Sequence, residues 1–464
     1  MTNGSAPRRD SRSVLRGFTE VRSIDPVPDC ERQGTVGRQG PFWFAFNLQP
    51  VSLALGFVGP AMGLSLAWTV VASIAGLLFG TVFVAFHAIQ GPRLGLPQMI
   101  QSRAQFGYRG VLVPLTGTLF TFLGYNIVNI SIAKDGMHSL YGFNPTIVAV
   151  VITAAGMAAA AIGYDLLHRA FRLAFWLSLP LWVALSVGLL LGRAHHPPAS
   201  IGDFVGLAFA AQFTVTASYA ISGAPFVSDY TRYLPRDTRS APMIAAVFIG
   251  TIASPIWLVP IGAWMALRLR TSDALAGIAT VGNDTLPLLG DTLVILSIAI
   301  FAILIAANTY SGALTVVTAA DSVWSLTPTR RIRVVATVGF AVVSLVLGLV
   351  LTDSTSTIDA LLLIMLYLLV PWTAINLTDF FFIRRGRYDI EALYTPESVY
   401  GTWSTHGLIA YFAGVLAELP FMALPFFVGP AAAALGGMDI AFIPGLVISA
   451  SFYLVLAQST RNAR

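Results

Sequence analysis

Ser222-Gly223-Ala224-Pro225, followed by Ser228-Asp229-Tyr230-Thr231-Arg232-Tyr233-Leu234-Pro235, interrupts an apolar run that begins at Phe204. In hydrocarbon every backbone amide and carbonyl needs a partner, so a spanning helix breaks only where protein or a cavity supplies one. Helices broken near the bilayer midplane are where secondary transporters build their solute sites. The stretch therefore predicts an all-α membrane protein of the transporter class, with its site at this break.

Composition agrees. Hydrophobic residues make up 56% of the chain and charged residues 11%, against roughly 25% charged in a soluble domain. The 464 residues parse into about twelve apolar segments, each long enough for a core ~30 Å thick. They fall at 41–58, 67–89, 111–133, 145–163, 171–191, 204–227, 241–267, 291–320, 332–351, 358–383, 407–429 and 439–460, and are numbered one to twelve below.

Charge placement predicts the orientation. Of 27 Lys and Arg residues, 23 lie in the tail before segment one or after even-numbered segments; Lys134, Arg193, Arg268 and Arg270 make up the rest. Positive loops stay cytoplasmic, so both termini are expected inside, in the plasma membrane. The pI near 9.4 then reflects topology, and no nucleic-acid partner is implied. The tail, residues 1–40, is rich in Arg, Ser and Pro and has no apolar h-region, so it reads as disordered at its start and not as a signal peptide. Cys30 is the only cysteine, which excludes a disulfide or a cysteine metal site. The six histidines lie mostly at loops and segment ends, and there is no Walker motif. No metal, cofactor or ATP-driven step is expected, and no nucleophile–base set suggests an enzyme.

Segment one carries a second interruption, Asn47-Leu48-Gln49-Pro50. Pro50 removes an amide donor and crowds the turn before it. Breaks five segments apart, in segments that enter from opposite sides, fit two inverted five-helix repeats at 41–191 and 204–383, with 407–460 as two peripheral helices. Two unrelated proline kinks are the plainer alternative.

Four sets of residues then carry a specific resemblance. They are Ile24-Asp25-Pro26-Val27-Pro28-Asp29 with Glu31-Arg32; Gly91-Pro92-Arg93-Leu94-Gly95-Leu96-Pro97-Gln98 with Gln101-Ser102-Arg103; the Ser228 to Pro235 signature; and Asp379 with Arg384-Arg385-Gly386 and Tyr388-Asp389. With these marks the chain resembles the nucleobase:cation symporter-1 family, on its purine–cytosine permease branch. The resemblance implies a leucine-transporter-type fold with discontinuous helices one and six. It also implies a nucleobase and a co-transported cation as partners.

The candidate site can be read from the residues as well. A flat, neutral heterocycle needs stacking surfaces and a few polar groups for its edge. Tyr125 and Asn129 lie one turn apart on segment three, hence on one face. Asn308 lies on segment eight, the equivalent position in the second repeat, and Asn47 and Gln49 bring amides to the first break. Amides offer donors and an acceptor to the mixed edge of cytosine or a purine. The resemblance implies the same places: an aromatic at Tyr125 where Trp is more usual, an amide at Asn129, and Asn308 before Tyr310-Ser311. It also places a second aromatic at Tyr219, and Gly223 stands where many relatives have Trp. Either Tyr219 alone closes the stack, or the pocket is wider than usual.

Each residue has a plainer reading. The tyrosines could be packing residues, Asn129 and Asn308 interhelical glue, and Asn47 and Gln49 caps for the broken backbone. Asp229 and Arg232 lie at the exit, as a gate or a structural pair. Lys134, Asp135 and His138 sit at the outer end of segment three, where they are expected to snorkel or pair. Glu418, read near the middle of segment eleven, is either a buried structural acid or a coupling site. Sodium-coupled relatives carry hydroxyls before the segment-eight amide, whereas 298–304 has none and Ser297 and Ser311 only flank it. A proton is therefore favoured over sodium. The same fold carrying uracil, allantoin, a hydantoin, thiamine or pyridoxine is the nearest alternative, and a sensor or passive channel the next.

Overall fold

The computed structural model describes residues 24–194, 203–324, 326, 329–351 and 355–462. The expectation of a disordered tail start therefore lies outside the described residues. All twelve segments are helical. Among the described residues, eight helices are long and apolar enough to cross a membrane, and the two halves of segment one, bent by 62°, count as a ninth if taken as one span. Segments six and twelve supply the shorter apolar helices Gly206–Ile221 and Phe442–Gln458, and segment eleven the helix Thr405–Glu418.

Local chemistry sets the ends of these helices. Ser65 caps the helix Leu66–His87 of segment two by accepting the Trp68 amide. Asn144 accepts the amides of Thr146 and Ile147 ahead of Pro145–Ile162, with Pro145 at the first helical position. In segment one, Gln39–Asn47 stops and Pro50–Ala54 starts because Gln49, just before proline, is extended at φ −151° and ψ 159°. In segment six, the helix ends at Ile221 and resumes as Val227–Thr231 beyond the Ser222–Pro225 turn.

The packing has a repeated logic. Segment one lies against seven as six lies against two, and three lies against nine and ten as eight lies against four and five. Small residues permit the close approaches. A Cβ on Gly262 would meet the Leu53 carbonyl and one on Gly56 the Val259 carbonyl, while Gly76 and Gly80 meet the carbonyls of Phe213 and Ala217. Each broken segment is thus clamped to the helix that follows its counterpart.

Two elements differ from the sequence reading. Segment eleven, expected at 407–429, ends as a helix at Glu418 and gives way to the turn Leu419–Phe421 and a two-stranded hairpin, Ala423–Leu424 with Phe427–Val428. Pro420, Pro425 and Pro430 deny the helix its donors there. Glu418 therefore stands at a helix end. The second difference is an amphipathic helix, Ala274–Thr285, between segments seven and eight. Asp273 caps it, and its buried Leu275, Ile278 and Val281 pack inward.

Candidate substrate site

The two breaks meet. Asn47, Gln49, Tyr125, Asn129, Tyr219 and Asn308 line one small cavity of about 30 Å³, with Trp43, Phe46, Ser222 and Phe226 among the other walls. Helical spacing brings Trp43 and Asn47 to one face of the first half-helix, as it does Tyr125 and Asn129 on segment three.

Hydrogen bonds hold the lining in place. The Tyr219 hydroxyl donates to Asn47 Oδ1 at 2.7 Å, and Asn47 Nδ2 donates to the Trp43 carbonyl at 2.9 Å. Both ends of the Asn47 amide are thus engaged in closing the break. Gln49 Nε2 donates to the Tyr219 hydroxyl at 3.4 Å. Ser222 donates to the Tyr219 carbonyl at 2.6 Å, which leaves the Tyr125 hydroxyl to donate to Ser222 Oγ at 2.7 Å. The Tyr125 and Tyr219 rings stand edge to face, centroids 6.3 Å apart, an arrangement that leaves one ring face open to a third planar group.

Two acceptors are left over. Gln49 Oε1 and Asn129 Oδ1 are buried with no donor among the described residues. The helix-joining role that Asn129 and Asn308 could have filled is taken by their neighbours instead. Asn126 Nδ2 donates to Thr309 Oγ1 at 3.2 Å and to Ser344 Oγ at 3.0 Å, tying segments three, eight and nine.

At Gly223 a Cβ would lie 3.3 Å from Val84 of segment two. Val84 itself lines the cavity, so the space a larger side chain would claim is already filled. The cavity is narrow, and Trp43, Phe46 and Phe226 contribute aromatic walls that sequence reading missed.

The aromatic walls continue as a plug toward the arginine-rich face. Phe46 stacks on Phe171 at 5.2 Å, Phe42 on His168 at 4.3 Å, and Phe226 packs against Phe122 and Tyr230. On the opposite face a far larger cavity of about 700 Å³ opens between the second half of segment one, the C-terminal half of segment three and residues 270–274. It begins at Val51 and Ile127, within two residues of Gln49 and Tyr125. There Lys134 pairs with Asp135 at 2.9 Å, and His138 Nδ1 meets the Phe143 carbonyl.

The remaining candidates lie away from the cavity. Asp229 accepts the Gln98 amide at 3.1 Å, and Arg232 donates to the hydroxyls of Tyr233 and Tyr310 at 3.1 and 3.3 Å. Both are buried on the arginine side of the plug. Ser311 is buried one turn beyond Asn308, its hydroxyl without a partner among the described residues. Glu418 is fully buried against Gly445 of segment twelve, with neither carboxyl oxygen partnered among the described residues.

Sequence reading also missed a polar chain behind the plug. Ser228 Oγ donates to Gln98 Oε1 at 2.5 Å, Gln98 to Gln90 at 2.8 Å, and Gln90 to Asn376 at 2.7 Å. Asn376 then donates to Gln105 at 3.3 Å, and Gln105 to Asp379 Oδ2 at 2.6 Å. Asp379 also receives Tyr388, Arg384 and Tyr453. The signal was the repeated glutamines after segment two, at 90, 98, 101 and 105.

Paired discontinuous helices around a buried cavity, sealed on one face and open on the other, define a multi-pass membrane protein of the secondary-transporter class. Residues 26–445 match the family described as permease for cytosine/purines, uracil, thiamine, allantoin, and the chain belongs to it. It is 32% identical over 451 residues to YxlA of Bacillus subtilis (strain 168), provisionally named a purine-cytosine permease, covering 96% of this chain and 97% of that one. Purine-cytosine permease fcyB of Emericella nidulans is 26% identical, over 94% of this chain and 88% of that one. Among solved structures, the chain is similar to Mhp1, a nucleobase-cation-symport-1 family transporter, in a closed conformation with bromovinylhydantoin bound. That likeness has a TM-score of 0.75 at 19% identity and covers 94% of this chain and 96% of that one. It establishes the leucine-transporter-type fold. The relatives are permeases and not enzymes.

Proposed function

We propose that the protein imports a nucleobase, cytosine or a purine such as adenine, guanine or hypoxanthine, by cation symport. The observation that carries this reading is the pair of unpartnered amide oxygens, Gln49 Oε1 and Asn129 Oδ1, on the wall of an aromatic cavity. A buried acceptor without a donor costs about 1–3 kcal/mol. A flat heterocycle with ring and exocyclic N–H groups would remove that cost. Tyr125, Tyr219 and Trp43 offer the ring contacts, and the Asn308 amide offers both a donor and an acceptor. The purine and cytosine in the relatives' names have such edges.

In this reading the solute enters through the larger cavity, and the repeats 41–191 and 204–383 rock against each other while 407–460 stays peripheral. The aromatic plug then parts on the arginine-rich face, which the charge bias makes cytoplasmic. The membrane is the plasma membrane. A proton is the coupling cation, because 298–304 has no hydroxyl and Ser297 already donates to the Leu293 carbonyl. Ser311 and Glu418 remain the coupling candidates, and Asp229 and Arg232 the gating ones.

The test is uptake of radiolabelled cytosine, adenine and hypoxanthine into cells lacking their own permeases. Uptake of one base is expected to collapse with a protonophore, survive sodium replacement and vanish in Asn308→Ala. Absence of uptake for every base, with the protein at the membrane, would overturn the substrate reading in favour of allantoin, hydantoins or a vitamin.

A further inference from the structure

None of the four sequence marks that carry the family resemblance lines the substrate cavity. Pro26 to Arg32 of the tail, Arg93 and Leu94 after segment two, and Gly386 to Ile390 after segment ten converge elsewhere. With Arg236, at the end of segment six, they line a separate cleft of about 630 Å³ on the arginine-rich face.

Arg32, Arg93, Arg236 and Arg387 all line it, beside two carboxylates, Asp29 and Asp389. Asp29 is paired with Arg32 at 3.3 Å, and Asp389 Oδ1 accepts the Ala392 amide at 3.2 Å. Arg32 is held in place, its Nε donating to the Val27 carbonyl at 2.8 Å and its Nη1 to the Pro92 carbonyl at 3.0 Å. Arg93 makes one long contact to Ser240 at 3.4 Å. Among the described residues, Arg236 and Arg387 have no side-chain partner. Arg32 is pushed down by burial and further by the nearby Arg236, against the pull of Asp29. Like charges are thus gathered from four stretches of chain with too few carboxylates to match them.

We propose that this cleft binds a phosphate group, as a monoester or diester anion. Guanidinium forks match phosphate oxygens two at a time, and Arg236 and Arg387 have their forks uncommitted. The phosphate would bridge segment six to the turn after segment ten. In that turn Arg385 takes the left-handed conformation at φ 53°, and Tyr388 reaches inward to Asp379 at 2.7 Å. Binding would therefore hold together the elements that must separate on this face. Two sources share the chemistry: the headgroup of an anionic phospholipid, which a positive juxtamembrane face attracts, and free phosphate. The inference stands apart from the substrate reading, since its test reads binding and not transport.

The experiment uses the full chain in phosphatidylcholine nanodiscs. Radiolabelled inorganic phosphate is titrated at matched ionic strength, and the melting temperature is followed beside it. A second set of discs contains phosphatidylglycerol. The same measurements are made on Arg236→Gln with Arg387→Gln, and on each single variant in case the double fails to fold. Saturable phosphate binding, weakened about ten- to a hundredfold in the double variant, is expected for a free anion. Stabilisation by phosphatidylglycerol alone, absent from the variants, would assign the lipid headgroup. Phosphate stabilises many proteins by exclusion from their surface, so only the difference from the variants counts. Equal responses in wild type and variants, or none in either, would overturn the proposal.

Discussion

Asn126 and Asn129 sit three residues apart on one helix and differ in their partners. Asn126 spends its amide protons on Thr309 and Ser344, while Asn129 leaves its oxygen on the cavity wall. Replacing each by Leu separates the two roles. Asn126→Leu removes the bonds joining segments three, eight and nine, and is expected to lower stability by about 1–3 kcal/mol, read as a falling melting temperature. Asn129→Leu relieves an unpaired acceptor, as Asn126→Leu does at its own Oδ1, but breaks no hydrogen bond between helices among the described residues, so stability should hold or rise. Its cost is expected in binding, an apparent affinity about five- to a hundredfold weaker in concentration-dependent uptake. If both variants lost stability and neither lost affinity, Asn129 would be glue like its neighbour. The sequence showed both amides on segment three, but which one turned toward the break depended on where segments six and eight came to lie. The same limit hid Trp43, Phe46 and Phe226, because in a chain with 11% aromatics only tertiary contact separates a site ring from a packing ring.

At the scale of elements, the chain of hydrogen bonds from Ser228 to Asp379 joins three parts: the second half of segment six, the turns after segment two and the end of segment ten. Every amide in it both donates and accepts, and it ends on a carboxylate that receives several donors, an arrangement in which bonds strengthen one another. Tyr388, raised well above the usual phenol range by burial and then by Asp379, stays protonated and able to donate. In the proposed alternating access, opening the arginine-rich face pulls this chain apart, because it runs behind the aromatic plug. Gln90→Leu removes its central link and strands the Gln98 amide and Asn376 oxygen, at about 1–3 kcal/mol. That shift favours the opened state by about five- to a hundredfold. In a Cys30→Ser background, Phe226→Cys should then react faster with a thiol reagent supplied from the arginine-rich side. A lower melting temperature without faster labelling would make the network structural only. The breaks at segments one and six were legible because proline and a polar run inside hydrocarbon demand an explanation. The early end of segment eleven was not, since a proline inside an apolar run reads equally well as a kink. Ala274–Thr285 went unseen because a helix of 12 residues with one buried face is too short and too polar to register as a span.

For the whole molecule, sidedness decides what the closed plug and the open cavity mean. In the sequence 23 of 27 basic residues fall in the tail or after even-numbered segments, and on the proposed reading that bias assigns the arginine-rich face to the cytoplasm. On that proposed orientation the 700 Å³ cavity faces outward, as a site ready to receive solute from outside would. The chain carries its own reporter for this. Cys30 is the only cysteine in the sequence and is exposed, in the stretch that docks beside Arg32 and Arg93. A membrane-impermeant maleimide applied to intact cells should leave it unlabelled, and permeabilisation should make it react fully. Labelling in intact cells would reverse the orientation and turn the plug into an outer gate. The same cavity would then belong to an exporter, or to the last step of import. Because the expected contrast is all or none, this measurement fixes the direction before any substrate is known. It also does not depend on coupling, since neither a protonophore nor sodium replacement should change which face Cys30 occupies.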